Sequence, residues 1–248
     1  MYFSRLFFAK MEESAHLYFS QTVTRGDNAD MKKEEGPSRN LHYLLKGLVL
    51  LGLVICIFGV PFSHMLLNLY GGTLLSSGIG PALLRTHCFY ILFLAVNGIS
   101  ECYAFNVMTS EEVSKYNYLM TLMTLIFLAC TWIFAKLFGP LGFTLANCCN
   151  FTMRIVYNFR VIDRRHRGAE VTNPLTGILP NVTTIGTLIL SGMICGVSEY
   201  HVYDVDLESS FAHLVIGGIT FLTAMAVIGF KEPMVKEGLL TLKKKYFP

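Results

Sequence analysis

Six stretches of the chain are each apolar over about the 20 residues that a helix needs to cross a bilayer: near 44–67, 82–107, 116–138, 142–162, 178–202 and 211–230. A backbone facing lipid finds no water to bond, so each stretch must satisfy its N–H and C=O groups internally, as a helix. Composition agrees. Hydrophobic residues make up 53% of the 248 and charged residues 15%, against about 25% charged in a soluble domain. Mean hydropathy is +0.49. The expected fold class is an all-α membrane protein of six transmembrane helices. A net charge of +3 is too small to imply nucleic acid as a partner, and the seven cysteines sit inside apolar runs, where they read as small buried hydrophobes rather than a disulfide framework.

Chain breakers fall where spans should end: Gly71-Gly72, Pro81, Gly139-Pro140, Pro174 and Pro233. Gly59-Val60-Pro61 lies inside the first span and predicts a kink there. Thr109-Ser110-Glu111-Glu112 reads as a cap with first-turn acids opening the third span. Orientation follows from the cations. Seven lie in residues 1–46, five between Arg154 and Arg167, five in the tail from Lys231 to Lys245, and Lys115 lies in a loop. Six spans put all eighteen on one side, leaving Arg85 and Lys136 with the acidic loop of Asp204, Asp206 and Glu208 on the other. The positive-inside rule makes both termini cytoplasmic.

The regions divide as 1–43, a partial helix and a cytoplasmic linker; 44–162, four spans; 163–177, a basic loop; 178–230, two further spans; and 231–248, a basic tail. Met1–Ser20 is aromatic and apolar but broken by Arg5, Lys10, Glu12 and Glu13. It does not read as a signal peptide; it reads as the second half of a helix beginning upstream. The mixed charge of residues 24–40 reads as a solvated linker.

An enzyme needs a nucleophile with its base, a metal cluster or a phosphate loop, and none is visible. Gly71-Gly72 and Gly217-Gly218 lack the strand-to-helix context of a phosphate cradle. Cys148 and Cys149 are adjacent on a helix, so their side chains diverge. No cofactor and no metal are expected. Gly192-x-x-x-Gly196 signals close helix packing. Two glycosylation sequons, at Asn150 and Asn181, fall inside a span and at a cytoplasmic end.

Polar groups inside the spans carry more information, because a charge at the centre of a bilayer helix costs roughly 2.5–3.5 kcal/mol and is usually paired or faces a cavity. Asn97 and Glu101 share one face of the second span, at i and i+4; Asn147, Asn150 and Arg154 share one face of the fourth, at i, i+3 and i+7. Counting from the span ends at 1.5 Å per residue, Glu101 and Arg154 lie at depths agreeing within about one turn. An ion pair between the two helices is expected. The alternatives are snorkelling or helix-packing roles, or separate cavity-lining roles with Arg154 meeting a phosphate. Arg85, with Tyr70 and Tyr90, lies near the external end of the second span, either as an interfacial anchor or as a phosphate contact.

Several ordered blocks resemble the Rft family. They are Tyr70-Gly71-Gly72, Gly80-Pro81-x-Leu83-Leu84-Arg85, Ala95-Val96-Asn97-Gly98-Ile99-Ser100-Glu101-Cys102, Glu111-Glu112-Val113-x-x-Tyr116-Asn117, and Gly142-Phe143-x-Leu145-Ala146-Asn147-Cys148-x-Asn150 closing at Arg154-Ile155. Glu12-Glu13-Ser14 after an aromatic run also fits, although Lys10 stands where the family usually has proline. The resemblance runs from about residue 5 to 165, and beyond that by hydropathy alone. It implies translocation of dolichol-pyrophosphate-linked oligosaccharide, or an accessory role in it, for N-glycosylation at the endoplasmic reticulum membrane. The fold it implies is a flippase of two six-helix lobes around a central cavity. On that reading this sequence is the C-terminal half, its partners are the lipid-linked oligosaccharide, the membrane and a missing N-terminal lobe, and Asn97, Glu101, Asn147, Asn150, Arg154 and Arg85 line the substrate cavity. The competing reading is a structural or regulatory membrane subunit of a glycosylation complex.

Overall fold

The computed structural model describes residues 2–26, 35–167, 172–204 and 206–236. Eight helices are found there: α1 (Tyr2–Thr22), α2 (Glu35–Gly59), α3 (Ser63–Ser76), α4 (Gly80–Val107), α5 (Ser110–Phe138), α6 (Leu141–His166), α7 (Val182–His201) and α8 (Leu207–Lys231). The described residues contain no strand. Lys32, Lys33 and Lys243–Lys245, which enter the sidedness argument, lie outside the described residues.

Five helices are long and apolar enough to cross a membrane: α2, α4, α5, α7 and, over Glu208–Lys231, α8. The expected fourth span, α6, is continuous over its whole length but is too polar to join them, because Asn147, Asn150, Arg154, Asn158 and Arg160 interrupt its apolar side. The first apolar run is divided. Helix α2 starts at Glu35, inside the expected linker, and ends at Gly59. Pro61 has no N–H to donate, so the helical ladder fails there; Val60, Pro61 and Phe62 form a turn closed by Phe62 N–H to Phe58 C=O at 3.4 Å, and α3 begins afresh at Ser63.

The chain forms two compact units. Unit 1 comprises Met1–Gly52 and Phe89–Ile178; unit 2 comprises Leu53–Cys88 and Leu179–Pro248. Helices α2 and α4 contribute to both.

In unit 1, α5 and α6 form an antiparallel hairpin about Gly139-Pro140. A capping box opens α5: Thr109 Oγ1 accepts from Glu112 N–H, and Glu112 Oε2 accepts from Thr109 N–H at 3.0 Å. The remaining carboxylate oxygen of Glu112 takes Arg164 at the end of α6, at 2.5 Å. At the same end, Arg165 donates to the carbonyls of Thr24 and Gly26, and Gly26 N–H reaches the Val107 carbonyl at 3.1 Å. His166 Nδ1 bonds the Ile162 carbonyl, which only accepts, so Nε2 accepts from Ser38 Oγ–H at 2.8 Å. The ends of α1, α4 and α6 and the starts of α2 and α5 therefore share one end of the unit. The core behind them holds Phe19, Leu41, Leu45, Ile99, Tyr103, Met108 and Ile162. Away from it, α5 exposes Leu122, Leu125, Leu128, Trp132 and Leu137, a continuous apolar face of the kind that marks lipid contact.

In unit 2, α7 and α8 pack as a second hairpin. Glu232, just past α8 and wholly buried, accepts from Asn181 N–H at 2.7 Å and Thr184 Oγ–H at 2.9 Å. A carboxylate thus sits on the positive N-terminus of α7. Gly217 faces the ring of Phe62 so closely that a Cβ would collide with it. That frees the Phe62 ring to stack on His213 at 4.1 Å.

Candidate functional site

A cavity of about 860 Å³ lies within unit 1, walled by α1, α4, α5 and α6. Asn97 and Glu101 reach it from α4, one turn apart, as their i, i+4 spacing dictates. Arg154 reaches it from α6. Its guanidinium Nη2 donates to Glu101 Oε1 at 2.5 Å, and the two side chains are only 20% and 14% exposed. Tyr116 of α5 donates its hydroxyl to the same Oε1 at 3.1 Å, and Asn97 Nδ2 donates to Oε2 at 3.0 Å. Three donors from three helices therefore hold one carboxylate, which is the way a buried charge is tolerated.

Tyr116 is itself held by its neighbours, wholly buried with its ring stacked on Tyr157 at 4.8 Å. Asn158, one turn beyond Arg154 and fully buried, donates to Ser100 Oγ at 3.5 Å, a second polar link between α6 and α4.

On the facing wall, α1 contributes Glu12 and His16, again at i, i+4, with Phe8. Gly98 is what admits Glu12: a Cβ at that position would overlap the Glu12 carboxylate. Cys102 Sγ–H approaches the Glu12 carbonyl at 3.6 Å. Asn106 Nδ2 donates to both the Cys102 carbonyl and His16 Nδ1, so that ring nitrogen is the acceptor. Arg25, from the loop after α1, completes the charged lining. Phe105 and Phe151 add aromatic faces.

Of the residues expected to line a cavity, Asn97, Glu101 and Arg154 come together here. Asn147 and Asn150 are not in this lining; both are half-exposed on α6, and Asn147 Nδ2 bonds the Phe143 carbonyl of its own helix. Arg85 belongs to unit 2. It pairs with Glu199 of α7 at 2.5 Å and donates Nε–H to the Val60 carbonyl at 3.3 Å. A smaller cavity of about 520 Å³ there includes His64, Tyr200, Tyr203 and Asp204. His64 Nδ1 lies 3.3 Å from the Tyr203 hydroxyl, and burial pushes that phenol above its ordinary range. Glu12, His16, Arg25, Tyr116 and Glu199 are site residues the sequence reading missed. The i, i+4 pairing of Glu12 with His16 was a usable signal; Tyr116 offered none.

The family model described as Rft protein matches residues 3–241. The Man(5)GlcNAc(2)-PP-dolichol translocation protein RFT1 of Xenopus tropicalis is 36% identical over 233 residues, covering 92% of this chain and 43% of that protein. The mouse protein of the same name is 35% identical over 252 residues, covering 97% and 46%, and the Drosophila melanogaster one 36% over 232, covering 90% and 40%. The chain thus spans a little under half the length of the relatives it matches. No solved structure gives a significant match.

Proposed function

The chain belongs to the Rft protein family, and on that premise we propose that it acts in moving dolichol-pyrophosphate-linked oligosaccharide across the endoplasmic reticulum membrane. The observation that carries this reading is a cavity with four charged residues in its lining, walled by α1 and α6 together with α4 and α5, which are apolar enough to span a bilayer. Charged groups at that depth are costly and mark a substrate path unless they serve packing alone. In this reading α6 crosses the membrane as the fourth of six spans with Arg154 turned into the cavity, both termini are cytoplasmic, and the chain supplies the C-terminal lobe of a two-lobe translocator. No covalent chemistry is involved. Closure of the cavity by a second lobe is needed for transport, so this half-length chain does not move the lipid alone.

The test is transbilayer movement of fluorescent Man(5)GlcNAc(2)-PP-dolichol in vesicles carrying the whole protein. Accelerated movement, abolished by Arg154→Ala, supports the reading. Movement no faster than in protein-free vesicles overturns it in favour of the accessory-subunit role.

A further inference from the structure

Residues 61–84 join the end of α2 to the first turns of α4 without a single Asp, Glu, Lys or Arg. A connection of that length in water would carry about six charges, at the usual share of about one residue in four. The two ends of the connection lie at one depth, because Arg85 Nε donates to the Val60 carbonyl at 3.3 Å. That depth is the water boundary. Arg85 holds Glu199 there. His64, at the start of α3, meets the Tyr203 hydroxyl at 3.3 Å, and both share a cavity lining with Asp204, where the acidic loop begins. A run of acids such as Asp204, Asp206 and Glu208 belongs in water.

From that boundary α3 presents its apolar residues outward. Leu66, Leu69 and Tyr70 follow i, i+3, i+4 spacing and share one face. Leu69, Tyr70 and Leu74 are 82%, 87% and 85% exposed. The buried residues of α3 are Ser63 and Ser76, the reverse of a helix that packs its apolar side on a protein core. A break at Gly71-Gly72 divides α3 into two short arms, with Gly72 at φ +60, where glycine sits at no steric cost. The second arm exposes Leu74 and Leu75. What covers this face follows from its neighbours. Helices α2 and α4 are long and apolar enough to cross a membrane, so the segment tying them together at the water boundary lies against the leaflet they leave. With no charged side chain to hold it in water, its leucines enter the acyl region to about 5–10 Å, as the apolar face of an interfacial helix does.

We propose that α3 is an interfacial anchor, with Leu66, Leu69, Tyr70 and Leu74 inserted among the acyl chains of the leaflet in which α2 ends and α4 begins. Its partner is the hydrocarbon of the bilayer and not a charged headgroup, since α3 offers no lysine or arginine to an anionic lipid. The anchor requires that α2 and α4 span the bilayer; it does not require that the protein move a lipid.

The experiment places a fluorophore on the whole protein in phosphatidylcholine nanodiscs, through Leu69→Cys or Leu74→Cys with the other cysteines replaced by alanine. Asp206→Cys in the exposed acidic loop gives the aqueous reference, and Leu128→Cys on the apolar face of α5 gives the lipid reference. Two quenchers are compared, iodide in the water and bromine on the lipid acyl chains. Both α3 probes should match the Leu128 probe, with iodide quenching about fivefold weaker than at Asp206 and strong quenching by the brominated lipid. Should the cysteine-replaced protein fail to fold, the unmodified protein is photolabelled from a phosphatidylcholine carrying a diazirine on its acyl chain, and adducts should map to residues 66–75. Iodide quenching equal to that at Asp206 puts α3 in water and overturns the proposal. Shielding from both quenchers, or photolabelling of α5 with none on α3, means that protein covers the face and overturns it too. No outcome here depends on transport, so failure of the anchor and failure of the transport reading are told apart.

Discussion

The carboxylate of Glu12 on α1 lies directly against the Cα of Gly98 on α4, in the space a side chain at position 98 would fill. The group in the way is the far end of a flexible side chain, so the two roles of this contact separate. Gly98→Ala should leave thermal stability unchanged or raise it by up to about 1 kcal/mol, the helix-propensity gain, while displacing Glu12 and lowering transport. A loss above about 2 kcal/mol in denaturation would show that Glu12 cannot give way and that the contact is a packing constraint.

The Arg85–Glu199 pair should behave quite differently from Glu101–Arg154. Arg85 is 41% exposed, so solvent screens the pair. Arg85→Gln is expected to cost no more than about 1 kcal/mol in thermal unfolding. A cost several times larger would mark the pair as buried in the membrane-embedded protein.

Glu232 ties the start of α7 to the end of α8. Two charge-assisted hydrogen bonds converge on one of its oxygens. Glu232→Ala should destabilise the protein by about 2 kcal/mol or more, and Glu232→Gln by less, since its amide oxygen still accepts. Equal losses would mean that the charge on the α7 N-terminus dominates.

Orientation is checked by the sequons. Asn181 caps α7, its Oδ1 accepting from Thr183 N–H, and in the proposed topology it faces the cytoplasm, with Asn150 inside a span. Neither should be glycosylated. A mobility shift removed by a glycosidase and abolished by Asn181→Gln would invert the topology.

Much of the architecture was legible because the bilayer imposes a length: four expected spans coincide with helices α4, α5, α7 and α8, and α2 covers residues 44–59 of the first, all five helices being apolar enough to cross. The Glu101–Arg154 contact was legible because helical periodicity places a residue on a face and counting from a span end places it in depth. What counting does not supply is the rotation of each helix about its axis. Asn147 and Asn150 share a side with Arg154 on paper, yet the buried side of α6 runs through Phe151, Asn158 and Ile162, and of those three polar residues only Arg154 reaches the cavity. Glu12 was hidden for a related reason: α1 is too polar to read as a span, and its partner is a glycine with no side chain to announce a contact. Gly59-Val60-Pro61 predicts a kink, but the helix stops outright at Gly59 and restarts as α3.

Glu101 and Arg154 form one buried unit on which the cavity is built, and a double-mutant cycle in the purified whole protein tests this directly. Glu101→Gln and Arg154→Gln each leave a charge uncompensated and should each cost about 3–5 kcal/mol in thermal or denaturant unfolding. The double Gln variant should cost far less than their sum, and the exchange Glu101→Arg with Arg154→Glu should recover part of the loss. Additive losses, with no recovery on exchange, would contradict the pairing and with it the account of the cavity.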